Sequence, residues 1–260
     1  MTRLEAATFG RRALVAGIAG VPLAAVLADP RLTAMAAEAT ETISIPAAGG
    51  RKVGAALAVP AATPAPTVLL IHEWWGLNDE IKAMAAEFAK EGFLAFAIDL
   101  YDGKVASDPA VAEAYMNAVD SAQATEALTA AIAWLRAEAR GNGKVGTVGW
   151  CFGGGWSLNA SIAAPVDATV IYYGRVERSA DDLRKLSGPV LGHFADRDQW
   201  INKPMVDGFA ANLKQASRPA ELHWYEADHA FANPTGQNYD KEDAQLAWSR
   251  TLEFLRANLG

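Results

Sequence analysis

Short apolar runs alternate along this chain with longer stretches whose apolar positions recur every three to four residues. Thr67 to His72 (TVLLIH) is apolar almost throughout, as expected of a strand buried on both faces. Leu94 to Asp99, Val145 to Trp150, Ala168 to Tyr172, Val190 to Phe194 and Glu221 to Tyr225 read as further strands. Between them, Asp79 to about Lys90, Gly155 to Ala163, Lys203 to Ala216 and Tyr239 to Asn258 read as helices. Pro109 to Ala139 reads as helix with a break near Asp120, and Asp79 is placed to cap the first helix. Two β-patterned runs, Glu41 to Ile45 and Lys52 to Val59, flank Gly49-Gly50 and predict an antiparallel opening, followed by a Pro/Ala loop from Pro60 to Pro66. Strands alternating with helices predict an α/β fold with a mainly parallel sheet flanked by helices. No internal repeat or linker divides the stretch 37–260, which is read as one domain.

Composition narrows the function. The chain has 260 residues, 51% of them hydrophobic and 20% charged, enough for a sizeable core. A net charge of −7, with no basic stripe interleaved with aromatics, argues against a nucleic-acid partner. One cysteine excludes an intramolecular disulfide framework and a Cys-rich zinc site.

The first 36 residues read differently. Arg11-Arg12 precede small and apolar residues from Ala13 to Leu27, and Ala34-Met35-Ala36 and Ala37-Glu38-Ala39 offer A-x-A cleavage sites. This resembles a twin-arginine export signal, and the expectation is an exported, periplasmic protein; the alternative reading is an N-terminal helix of the fold itself. The Phe-Leu pair of the fuller motif is absent after the arginines. The run is short and rich in Ala and Gly for a membrane span, so no stable span is expected after cleavage. Cleavage after Ala36 would remove four basic and two acidic residues and take the net charge from −7 to −9.

Candidate chemistry gathers at the carboxyl ends of the expected strands, where open α/β sheets place their sites. Gly149-Trp150-Cys151-Phe152-Gly153 lies at a strand-to-helix turn. Gly-x-nucleophile-x-Gly in that position is a nucleophile elbow, whose glycines let strand and helix cross closely. A cysteine nucleophile needs a base, and the base an orienting acid. His229 follows the last strand, and Asp196 and Asp198 follow the one before it. Asp198 is the better acid because it leads into the apolar Trp200-Ile201, which would anchor its loop. The order nucleophile, acid, histidine is that of α/β-hydrolases. Glu73, at the end of the Thr67–His72 run, could take a proton from the thiol or line the pocket. His72-Glu73 begins an H-E-x-x-H zinc motif, but position 76 is Gly, so no metal is expected. The backbone N–H groups of Trp74 and Phe152 are placed to serve an oxyanion. His193 and His223 fall inside strands and read as core or surface pairs, with His193, close to the site loop, a lesser candidate for a site contact.

Taken together, His72-Glu73-x-x-Gly76-Leu77-Asn78, Asp99-Leu100-Tyr101, Gly149-x-Cys151-x-Gly153-Gly154, Asp198 and His229-Ala230-Phe231 resemble the dienelactone hydrolase family of α/β-hydrolases. The resemblance covers roughly Thr42 to Leu255. It implies the α/β-hydrolase fold, a Cys151-His229-Asp198 triad, a Glu73 that helps deprotonate the thiol when substrate binds, oxyanion donors at Trp74 and Phe152, and no cofactor.

Two departures bear on the substrate. Family members acting on dienelactone carry an arginine two residues after Asp-Leu-Tyr and another four after the catalytic histidine, both binding the substrate carboxylate. This chain has Gly103 and Asn233 there. Lys104 is a neighbouring point charge without the planar fork. Lys104, Trp75 and Asn233 are therefore the candidate substrate contacts. Trp74, Trp75, Trp150, Trp156 and Trp200 all fall near the site loops and suggest an apolar or aromatic ester or lactone. A thioesterase or acyltransferase on the same fold, marked by an acceptor other than water, and a non-catalytic ligand binder with a slow thiol, are the competing readings.

Overall fold

A computed structural model describes residues 21–260. An eight-stranded sheet runs through it in the order β1-β2-β4-β3-β5-β6-β7-β8. The strands are β1 (Glu41–Pro46), β2 (Lys52–Ala58), β3 (Ala65–Ile71), β4 (Leu94–Ile98), β5 (Gly141–Trp150), β6 (Ala168–Tyr172), β7 (Val190–Ala195) and β8 (Ala220–Tyr225). β1 and β2 pair antiparallel, β2 meets β4 antiparallel, and every later pairing is parallel. The expected fold class is the observed one.

Period-two alternation sends the central strands to both faces. Val68 and Leu70 of β3 join one apolar cluster and Leu69 with Ile71 another. The first face is covered by α3 (Asp79–Lys90), through Met84 and Phe88, and by α9 (Lys241–Leu259), through Leu252 and Leu255. The second is covered by α5 (Ser121–Ala137), through Leu128, Ile132 and Leu135, and by α6 (Phe152–Ala163). A third cluster joins β6 and β7 to α8 (Lys203–Gln215) through Ile171, Phe194, Val206 and Phe209. Each such aliphatic side chain stabilises the fold by about 1.5–3 kcal/mol.

Several boundaries move for local reasons. Asn78, not Asp79, caps α3 by accepting from the Ile81 N–H at 3.1 Å, which leaves Asp79 and Glu80 in the first turn beside the positive helix end. The long helical stretch is two helices, α4 (Pro109–Asn117) and α5, because Asp120 caps a new start through the Gln123 N–H. α6 begins at Phe152, three residues earlier than the sequence suggested, and a four-residue α7 (Ala180–Leu183) was not foreseen.

The expected export segment divides. Arg11, Arg12 and the stretch 13–20 lie outside the described residues. Beyond them, α1 (Leu23–Ala28) and α2 (Pro30–Glu38) lie against α3. Val26, Leu27 and Ala36 are buried in the same cluster as Met84 and Phe88. A cut after Ala36 would therefore remove buried side chains from this face. Among the described residues, no helix is long and apolar enough to cross a membrane.

Candidate active site

The site is assembled from four loops at the carboxyl ends of β3, β5, β7 and β8. β5 turns into α6 at Cys151, whose φ of 53° is a conformation L-residues rarely adopt. The surrounding backbone dictates it: the Cys151 N–H donates to the Tyr172 carbonyl at 3.0 Å, while its own carbonyl accepts from the Gly154 N–H at 3.0 Å. The turn works only with glycines beside it. A Cβ on Gly149 would overlap the Gly153 carbonyl, and one on Gly153 would overlap the Ile71 carbonyl of β3. Gly153→Ala is therefore expected to cost about 3 kcal/mol or more, since backbone cannot step aside as a flexible side chain can. A fall in Tm of roughly 6–12 °C in a thermal melt is the expected size. An unchanged Tm would show that α6 does not press on β3 here.

Asp198 stands after β7 and is buried. Its Oδ1 accepts from the N–H groups of Trp200 (2.8 Å) and Ile201 (3.0 Å), so the Trp200-Ile201 anchor foreseen from sequence does hold the carboxylate. Its Oδ2 lies 2.6 Å from His229 Nδ1. The exposed Asp196 takes no part in this contact. His229, after β8, is held through its carbonyl by Asn238 at 2.9 Å, and its Nε2 lies 3.1 Å from Cys151 Sγ. Thiol, imidazole and carboxylate thus form one continuous chain.

The electrostatics follow from the partners. Burial disfavours the charged form of His229, but its bonds to Asp198 and Cys151 outweigh it and raise the imidazole to about 10. Burial opposes ionisation of Asp198, yet His229 and the Trp200 and Ile201 N–H groups hold its carboxyl below the usual range. His72 is fully buried and pulled down by that burial, so it is neutral. Its Nδ1 donates to the Glu73 carbonyl at 2.6 Å, and its Nε2 accepts from the Leu100 N–H at 3.2 Å. The second of these bonds ties the β3 and β4 loops together.

These features carry the assignment. The family model described as the dienelactone hydrolase family matches residues 53–259. The chain belongs to the dienelactone hydrolase family. The carboxymethylenebutenolidase of Pseudomonas putida is 32% identical over 231 residues, covering 83% of this chain and 96% of its own. Among solved structures, the "Putative Dienelactone Hydrolase" of Klebsiella pneumoniae subsp. pneumoniae superposes with a TM-score of 0.76 at 27% identity, covering 84% of this chain and 98% of that one. The protein is a Cys-His-Asp hydrolase resembling dienelactone hydrolase.

The remaining residues of this dienelactone hydrolase homologue fall in different places. Glu73 is buried, and burial pushes its carboxyl up to about 7 against the donors Asn233 and Tyr173 and the nearby His229. Neither the Trp74 nor the Phe152 N–H has a backbone acceptor among the described residues. Lys104 Nζ sits 5.6 Å from the Tyr115 ring centre. Trp75 packs edge-on against Trp74, and its carbonyl accepts from Ala106 at 2.9 Å. Gly103 has a φ of +84° and donates to Asp99 Oδ2 at 2.5 Å, a turn that suits glycine better than the family's arginine.

The tryptophans divide. Trp150 and Trp156 are buried packing, against Tyr172 and Phe152 respectively. Trp200 is 71% exposed and lies edge-on to His229, with ring centres 5.3 Å apart. His193 is a packing residue as expected, joined to Tyr225 at 2.8 Å and Thr251 at 3.0 Å.

Sequence reasoning missed Tyr173. It follows β6, is buried, and has a φ of 35°. Its ring stands edge-on to His229 at 5.2 Å. Its place at the carboxyl end of a central strand was the available signal.

Proposed function

We propose that this hydrolase acts on small neutral esters or lactones with an apolar or aromatic part, and not on substrates recognised through a carboxylate. One observation carries this. Asn233, where the family's second carboxylate-binding arginine stands, spends its side-chain N–H on Glu73 at 2.8 Å, and Gly103 replaces the first arginine. Lys104 over Tyr115 supplies no fork in their place. The exposed indole of Trp200 beside His229, with half-buried Trp74 and Trp75, offers apolar surface at the mouth instead.

In this mechanism His229 takes the thiol proton and Cys151 Sγ attacks the carbonyl carbon. The carbonyl π electrons move onto oxygen, facing the N–H groups of Trp74 and Phe152. Collapse expels the alkoxide, which takes its proton from His229 and leaves a thioester. His229 then removes a proton from water, whose oxygen attacks the thioester, and the thiolate departs and is reprotonated. Asp198 holds the imidazole with Nε2 toward sulfur throughout.

The test is a panel of p-nitrophenyl acetate and butyrate, neutral aromatic lactones and a dienelactone. The expected result is turnover of the neutral substrates with kcat/KM for the dienelactone at least about tenfold lower, since a charge-assisted carboxylate contact is worth about 1.5–3 kcal/mol. Preference for the dienelactone would sink the proposal. Faster release by a thiol or alcohol acceptor than by water would mark an acyltransferase.

We also propose export to the periplasm, supported by Arg11-Arg12 and the small apolar run after them. N-terminal sequencing of protein recovered from a periplasmic fraction tests it; an intact N-terminus in the cytoplasm would refute it.

A further inference from the structure

A cavity of about 270 Å³ lies under α1, and neither Cys151 nor His229 lines it. Leu23 and Leu27 of α1 form one wall, Met84 of α3 and Trp248 of α9 form others, and Trp150 and Tyr172 close it at the ends of β5 and β6. α1 stands outside the family match over residues 53–259, so its wall is not part of the matched domain. Leu27, Met84, Trp150, Ala232 and Pro234 also line a smaller cavity beside Glu73. That one measures about 30 Å³, room for about two waters at most, and passes no ring. The polar groups of the larger cavity are engaged, except one. The Tyr172 hydroxyl pairs with Thr251 at 2.7 Å, Glu87 pairs with Lys90 at 2.7 Å, and Gln245 is exposed at the rim. Tyr239 lines the cavity, and its hydroxyl is buried with no hydrogen-bond partner among the described residues. The chain holds it there. The Tyr239 N–H donates to the Gly236 carbonyl at 3.3 Å, the next N–H donates to the Phe231 carbonyl at 3.0 Å, and Asp240 caps α9.

We propose that this cavity is a second binding site, separate from the triad, for a neutral two-ring aromatic molecule whose one hydroxyl group pairs with Tyr239. An apolar cavity of about 150 Å³ binds benzene, so this one has room for a second fused ring. Two indoles, two leucines and a methionine give it the apolar and aromatic walls that such a ligand needs. Water is a poor occupant, because a buried water needs about two to four polar partners and only the Tyr239 hydroxyl is open. A ligand hydroxyl needs one partner, and the pairing removes the cost of a buried polar group left alone. A charged ligand is disfavoured, since no cationic side chain lines the cavity and its carboxylate, Glu87, already has Lys90. A cut after Ala36 would remove the α1 wall, so the site belongs to the chain that keeps α1.

Titration of the full chain with 2-naphthol, followed by tryptophan fluorescence and by calorimetry, tests the site. One molecule should bind per chain, and it should bind equally well to Cys151→Ala and Trp200→Ala, which alter the triad and the exposed mouth. Ala24→Phe and Ala244→Phe fill the cavity from α1 and from α9. Each should weaken 2-naphthol by at least about tenfold. Turnover of p-nitrophenyl acetate by both should stay within about twofold of wild type, as expected of separate sites. Tyr239→Phe removes only the hydroxyl. It should weaken 2-naphthol by about three- to tenfold and leave naphthalene binding unchanged. A native melt for each variant distinguishes a filled cavity from an unfolded chain, and two walls are tested so that one misfolded variant leaves the other to decide. No saturable binding to wild type would overturn the inference. So would loss of binding in Trp200→Ala with retention in the two Phe variants, or equal weakening of 2-naphthol and naphthalene in Tyr239→Phe. Parallel loss of 2-naphthol binding and ester turnover in natively melting Phe variants would also overturn it, by making the cavity part of the substrate site.

Discussion

Cys151→Ala should lower kcat/KM for p-nitrophenyl butyrate by at least about 10⁴-fold, a loss of roughly 5 kcal/mol of transition-state stabilisation. Sγ is the atom 3.1 Å from His229 Nε2, on a backbone that holds φ at 53° to present it. Alanine accepts that backbone as readily as cysteine does, so the melt should be nearly unchanged while turnover disappears. Residual rate would come from the oxyanion donors and binding alone. A variant retaining activity within tenfold of wild type would mean that another group attacks the ester.

The second large effect is expected from Asp198→Asn, with kcat/KM falling by about 10⁴-fold. Asn preserves the shape but can turn its N–H₂ toward His229 Nδ1. The imidazole then carries its proton on Nε2, facing Cys151 as a donor when it is needed as an acceptor. The same change has a signature in stability. His229 is raised from 6.5 to about 10, so its contribution to folding is complete below pH 6.5 and is lost as pH rises through 10. Glu73 works in the opposite sense. Raised from 4.5 to about 7 by burial, it destabilises the fold progressively as pH climbs through that interval. Asp198→Asn should abolish most of the His229 contribution, so that Tm differences from wild type are largest below pH 6.5 and shrink toward pH 10. A uniform difference across that range would show that Asp198 does not support the imidazolium.

Much of this arrangement was readable before any coordinates. The continuous apolar runs located the central parallel strands because burial on both faces leaves no polar alternation to confuse them. The glycines around Cys151 marked a crossing of β5, α6 and β3 that only hydrogen side chains permit. Asp198 was separable from Asp196 because Trp200 and Ile201 had to anchor its loop, and their N–H groups do. Other features depend on what the chain meets in space. Tyr173 matters through a left-handed backbone and a buried ring, neither of which a tyrosine announces. Asn233 was legible as a departure, but its bond to Glu73 joins residues 160 positions apart. Trp150, Trp156 and Trp200 looked alike in sequence, and only packing separates two core residues from one exposed at the mouth. α1 and α2 read as part of the export segment because their small, Ala-rich composition suits a signal as well as a helix packed on α3.

Cys151 is the residue expected to carry the acyl group. Rapid quenching of the enzyme with p-nitrophenyl butyrate, followed by proteolysis and mass spectrometry, tests it most directly. The expected result is a butyryl adduct on the peptide containing Cys151, formed in a burst, lost with turnover and absent from Cys151→Ala. Turnover with no adduct on that peptide, or an adduct on another residue, would contradict it.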